Sequence, residues 1–196
     1  MIVTADEVHR SLKGALDLLN RQVDGLKAFD LSERGFWRSF AAISLTIPAY
    51  VVSVAFERSR LGLASPEQGM FDSLWLDLAL AFGHVASFAA LPLAMIWITR
   101  RLRLTDRYVP FVIVTNWITA LGLIVLSVPA ILMLVGWAPP PLASLFTLCF
   151  GIVILRLQWF ATKVTLGVSG GLALTIVAVG IGLNYGIATV TQALVA

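Results

Sequence analysis

Five stretches of this chain run for about twenty residues each with almost no charge, and that recurrence leaves few folds open. A helix needs roughly 20 residues to cross a hydrocarbon core about 30 Å thick, at about 1.5 Å per residue. The stretches cover approximately residues 36–56, 74–98, 108–137, 141–160 and 166–191. In lipid every backbone N–H and C=O must be satisfied within the segment or in a closed barrel, so apolar runs of this length fold as helices. The expected fold class is therefore all-α, a polytopic transmembrane helix bundle of five spans with an amphipathic cytoplasmic helix at its N-terminus. Residues 1–35 make the cytoplasmic segment and the turn into the membrane, and residues 36–196 make the five-helix transmembrane domain. Only 13% of residues are charged, against about a quarter in soluble domains, so the lipid bilayer is the first partner.

The charges that remain report orientation. Lys and Arg number six up to Arg38, two in the first loop, four in the second, none in the third and two around the fourth connection. Alternate sides thus hold twelve and two. Basic residues near spans stay on the cytoplasmic side, which puts the N-terminus in the cytoplasm and the C-terminus outside, in a bacterial inner membrane. Five of the six tryptophans (Trp37, Trp75, Trp97, Trp137 and Trp159) fall at span ends, where indole favours the headgroup level, and only Trp117 lies within a span. These loop charges form no basic groove, and no nucleic-acid partner is expected.

The N-terminal stretch "MIVTADEVHRSLKGALDLLN" lacks the basic, apolar and small-residue regions of a signal peptide, so the mature chain is expected to begin near Met1. Thr4 and Glu7 have the spacing of a capping box, and Val8, Leu12, Ala15, Leu19 and Val23 recur at helical steps. This helix is too short and charged to span. It lies on the cytoplasmic leaflet or packs under the bundle, and its alternative role is to dock a protein partner.

The stretch "FDLSERGFWRSFAA", residues 29–42, resembles the approach to the first span in Yip1-related membrane proteins, where an Asp-Leu pair precedes a Phe-Trp pair; here these are Asp30, Leu31, Phe36 and Trp37. "SERG" replaces the Gly-Pro turn usual in that family. The resemblance implies five spans, a cytosolic N-terminus, an outside C-terminus and a non-enzymatic membrane adaptor. Without any family, Asp30 or Ser32 caps a helix, Gly35 permits a sharp turn, and Arg38 snorkels beside the Trp37 anchor.

Polar residues within the spans are the candidates for function. An ionisable group near the bilayer centre costs about 2.5–3.5 kcal/mol on insertion scales, so it turns inward and finds a partner. In "WLDLALAFGHVASF" (residues 75–88), Asp77 falls about 4–5 Å below the outer boundary, whereas His84 falls about 15 Å down, near the midplane. The two share a helix face about 10 Å apart, too far for a direct hydrogen bond. Asn184, Tyr185 and Gln192 are expected neighbours of Asp77. Asn116 and Arg156 lie at matching depths, about 9–12 Å from the cytoplasmic boundary, where they can pair; Arg156 can instead snorkel with Trp159 and Lys163. The fifth span carries two small-xxx-small spacings, Gly167/Gly171 and Gly182/Gly186, suited to close packing within the bundle or to a partner or homo-oligomer interface. Pro48, Pro92 and Pro129 are expected to kink or shorten their spans.

No HExxH, GxSxG or phosphate-cradling GxxxxGK[ST] pattern occurs. Two histidines and the single Cys149 exclude an intramolecular disulfide and argue against a metal site; no catalytic residue and no cofactor are expected. The leading expectation is a non-enzymatic adaptor or organising subunit for protein or lipid partners. The alternative is a small transporter, or the membrane subunit of one, with a polar site of His84, Asp77, Asn116 and Arg156. An enzyme acting on lipid or quinone comes third, its only concentration of titratable groups being "RRLRLTDR".

Overall fold

A computed structural model describes residues 4–60 and 70–195; the expected chain start near Met1 and the middle of the first loop lie outside them. Among the described residues every regular element is helical. Seven α-helices follow in order: α1 (Ala5–Leu19), α2 (Glu33–Phe40), α3 (Ile47–Arg60), α4 (Met70–Leu102), α5 (Tyr108–Leu134), α6 (Pro140–Leu166) and α7 (Gly170–Val195). Tight 3-10 turns occupy Val23–Ala28, Ala41–Thr46 and Thr105–Arg107. Five stretches are long and apolar enough to cross a membrane: Glu33–Phe56, Leu74–Leu102, Thr105–Leu134, Pro140–Leu166 and Gly170–Leu194. The chain is an all-α, multi-pass membrane bundle.

The first span is not the single helix its apolar run suggests. It is built from α2, the 3-10 turn and the start of α3. Ser39, Ser44 and Thr46 each donate a hydroxyl hydrogen bond of 2.7 Å to the carbonyl three residues back, at Phe36, Ala41 and Ile43. Hydroxyls that engage local carbonyls compete with regular α-helical bonding, and here they accompany the tightened turn. Pro48, which has no N–H to give, then sits in the first turn of α3. Pro92 and Pro129, by contrast, lie inside continuous helices.

In its N-terminal half α5 is surrounded by protein. Phe111, Val112, Ile113, Val114, Asn116, Trp117, Ile118 and Ala120 are all buried, the all-round burial of a central helix. The spans close around one another in the order α3, α5, α6, α7, α4, with α3 meeting α4 only thinly. Glycines let α4 and α7 approach closely: a Cβ on Gly83 would sit 2.5 Å from Thr191 Oγ1, and one on Gly180 would sit 3.3 Å from Leu91. At the far end from α1, Trp75 Nε1 donates to the Leu194 carbonyl at 2.8 Å, tying the same two helices.

The N-terminal segment packs under the bundle, against α5 and α6. Ala15, Leu18 and Phe29 share one core with Ala42, Phe88, Ile113, Trp117, Leu157 and Ala161, so a boundary at residue 35 cuts both α2 and a common core. Of the expected apolar positions, Ala15 is buried and Val8 and Leu19 pack against this core, whereas Leu12 (39%) and, beyond the helix, Val23 (55%) are exposed; Glu7, Ser11, Gly14 and Leu18 complete the buried face. Two contacts accompany it. Gly14 lies against Gly25 so closely that a Cβ on it would come within 2.7 Å of the Gly25 carbonyl and the Phe29 ring. Glu7 turns inward to Arg38 of α2, Oε2 to Nη2, as a contact of charge without the alignment of a hydrogen bond. Half of the expected capping box therefore forms: Thr4 Oγ1 accepts from the Glu7 N–H at 3.3 Å, while the Glu7 side chain does not return the bond. Arg38, expected to snorkel, is largely covered.

The turn into α2 follows the expected logic. Ser32 is the cap, its Oγ accepting from the Gly35 N–H at 3.1 Å, and a Cβ on Gly35 would overlap the Asp30 carbonyl. Hydrogen bonds from the Ser32 side chain and then its N–H hold the Asp30 carboxyl below the usual carboxylate range.

Gly14→Ala must push α1 from the Val23–Ala28 turn, at about 1–3 kcal/mol for an overpacked contact. In hydrogen exchange on nanodisc-embedded protein, protection over residues 5–29 should fall while that of α5 and α6 persists. Unchanged protection there would show that the Gly14–Gly25 contact does not hold α1.

Candidate functional site

The helices part in the half of the bundle away from α1, leaving a cavity of about 570 Å³ to which all five spans contribute. Its wall is largely apolar, with Leu80, Phe88, Leu123, Leu126, Ile154 and Ile187, and its polar groups are Tyr50, Ser53, His84, Ser87, Thr119, Gln158, Asn184, Thr191 and Gln192. A smaller space of about 80 Å³ continues toward the α1 end, sharing Ser87, Thr119, Gln158 and Asn184 and reaching Asn116 and Thr162.

His84 of α4 stands in the cavity wall, half-buried. Its Nε2 lies 2.7 Å from Thr46 Oγ1, and the same hydroxyl lies 2.7 Å from the Ile43 carbonyl. Thr46 has one proton, and a carbonyl can only accept. The arrangement is therefore a directed chain in which His84 Nε2–H donates to Thr46, whose hydroxyl donates to Ile43. In the neutral ring Nδ1 then carries the free lone pair. That atom has no hydrogen-bond partner among the described residues.

Asp77 and His84 do not meet. Arg58 of α3 places one nitrogen, Nη2, 2.8 Å from both Asp77 carboxylate oxygens. Tyr50 stands between the two residues, its hydroxyl donating to the Asp77 backbone carbonyl at 3.1 Å and its ring 5.2 Å from that of His84. The expected partners of Asp77 on the fifth span are not used: Asn184 gives its amide to the Gly180 carbonyl of its own helix at 3.0 Å, and Tyr185 is exposed. Arg58 lies beyond the apolar run, which ends at residue 56, and so falls in the first loop by hydropathy; α3 continues through it to Arg60 and brings it level with Asp77.

Asn116 does not pair with Arg156. Its Nδ2 donates at 3.0 Å to Ser39 Oγ, deep in the bundle, because the two residues sit on facing sides of α5 and α2. Arg156 is on the outer, exposed face of α6, consistent with the snorkelling alternative. Trp159 near it donates Nε1 to the Gly170 carbonyl at 2.9 Å, with Lys163 Nζ 5.8 Å from the indole.

The glycine spacings also resolve differently from expectation. Gly167 is not in the fifth span; at φ 65° it caps α6 in the left-handed conformation, its N–H bonded to the Lys163 carbonyl. Gly171, Gly182 and Gly186 have nothing within 4 Å of a built Cβ, so they pack against no other helix of the bundle. Close packing uses Gly83 and Gly180 instead. Ser39, Thr46, Arg58 and Gln158 went unread as site residues. The one signal was that Ser39 and Thr46 stand seven residues apart, two turns on one helix face.

Among the described residues no three His, Cys, Asp or Glu side chains gather as a metal site. Compared with known proteins, the chain matches no family model, no curated protein and no solved structure.

In nitrogen-15 spectra of histidine-labelled protein, His84 should give the Nε2–H tautomer, separated from the exposed His9 by a His9→Gln variant. Thr46→Val should redistribute the tautomers and lower stability by about 1 kcal/mol, the scale of a membrane interhelical hydrogen bond. An Nδ1–H tautomer in the unmodified protein would refute the directed chain.

Proposed function

We propose that this chain is a non-enzymatic binding protein of a bacterial inner membrane, N-terminus inside and C-terminus outside, that takes a small amphipathic molecule between its spans. It acts as a small carrier or as the substrate-binding membrane subunit of a transporter. The observation that carries the reading is the 570 Å³ cavity with His84 in its wall. Ligand sites are typically concave, roughly 300–1,000 Å³, mostly apolar, with a few placed polar groups, and the cavity fits each criterion. The thin α3–α4 contact and the 3-10 turn beneath α3 supply a seam and a hinge for admission of the ligand. The twelve-to-two division of basic residues supports the orientation.

Native mass spectrometry of the protein released from membrane-derived nanodiscs tests this. The unmodified chain should carry a bound small molecule, and Ala188→Trp, which places an indole into the cavity, should lose it while folding normally. A chain that carries nothing, or an adduct indifferent to Ala188→Trp, would remove the basis of the proposal.

A second reading, an adaptor or organising subunit, rests on the outer face of α7. Gly171, Gly182 and Gly186 leave space for another helix there, and the Yip1-like approach to the first span points the same way. If this face joins copies or partners, Gly182→Leu should weaken self-association by about tenfold in single-molecule counting across protein-to-lipid ratios, an effect of about 1.4 kcal/mol. Identical counts for both chains would remove α7 as the interface.

A further inference from the structure

We infer that the cavity selects an uncharged amphipathic molecule whose head donates a hydrogen bond, a hydroxyl-headed lipid being the simplest example, and that His84 Nδ1 receives that bond. The inference rests on the binding function proposed above and adds the chemistry of the ligand.

Charge is the first consideration. Among the described residues, those lining the cavity include no Lys, Arg, Asp or Glu. The nearest ion pair among the described residues, Arg58 with Asp77, is outside the lining, Arg58 Nη2 serving both carboxylate oxygens while its Nε is buried without a partner. A ligand charge brought into this space would lose its hydration and meet no counter-charge, the situation that makes isolated charges costly in a membrane interior. A neutral head loses only hydrogen bonds, which hydroxyl and amide side chains can replace.

Direction is the second. The Thr46 proton goes to the Ile43 carbonyl, so His84 is committed to donate from Nε2. Its Nδ1 is left as an acceptor that no donor among the described residues uses. His84 itself lines the cavity, and that lone pair is a polar function whose sense is dictated by the surrounding bonds. Ser87, one turn along α4, together with Thr119 and Gln158, has no hydrogen-bond partner among the described residues and completes a polar patch for the head. Leu80, Leu123 and Leu126 supply the apolar wall for a chain.

The test uses full-length protein in nanodiscs, in a His9→Gln background so that one imidazole is observed. Three probes share two octanoyl chains and differ in the head: dioctanoylglycerol with a free hydroxyl, dioctanoylphosphatidate with an anion, and the dioctanoyl trimethylammonium analogue with a cation. Dioctanoylglycerol should bind at least about tenfold more tightly than either charged probe and should move the His84 Nδ1 resonance while Nε2 stays put. A charged probe that binds as tightly, or glycerol binding that leaves Nδ1 unmoved, overturns the inference and leaves a binding cavity of different selectivity. Failure of all three to bind overturns the inference and the binding function together.

Discussion

The structure depends on how the first span is held. Its polypeptide is broken between α2 and α3, and α3 leans on α5 with little help from α4. Two interhelical hydrogen bonds clasp it, Ser39 to Asn116 and Thr46 to His84, seven residues or roughly 10–12 Å apart along the chain. Each is worth only about 0.6 kcal/mol on average by membrane measurements, yet each also prevents a buried polar group from going unpaired. The clasps lie below the cavity and beside it. They keep the lower part of α3 packed, while its upper part meets α4 through Tyr50 and Arg58 at Asp77 and leaves open space between these polar ties.

His84 consequently has two roles that its position alone does not separate. One ring nitrogen is structural, tying α4 to the turn before α3, and the other is free of partners among the described residues in a side chain that lines the space between the spans. The Asp77–Arg58 pair belongs to a different layer, and Tyr50 spaces it from the histidine without linking their titratable groups. The outline is therefore a stack: an ion pair near the far end, a neutral hydrogen-bonding level around His84, Ser87 and Gln158, then the Asn116–Ser39 bond, and at the base the Glu7–Arg38 contact.

Much of this outline is legible in the sequence, because membrane helices are specified by length and hydrophobicity along one stretch of chain. The five spans, the tryptophans at their ends, the Ser32 cap and the need for Gly35 are all local properties. Partners are not local. Nothing near Glu7 announces Arg38, and the apolar spacing that places Val8, Ala15 and Leu19 on the packed face also includes Leu12, which is exposed. Gly167 shows the same limit on a shorter scale: its spacing to Gly171 is that of a packing motif, but a left-handed cap between them and the fifth helix takes Gly167 off that face. Arg58 was hidden because hydropathy ends a span where charge begins, whereas the helix itself continues.

The broken first span also bears on how the protein is made. Its segment leaves the ribosome carrying Arg38, three hydroxyls and a proline, and the partners of Thr46 and Ser39 are 38 and 77 residues further along the chain. It cannot be seated when it first reaches the bilayer. Span one must wait, unclasped, until the second and third spans have followed it, so the order of synthesis and the order of assembly differ: the bundle is completed around α5, and a span translated before its partners is locked only after them.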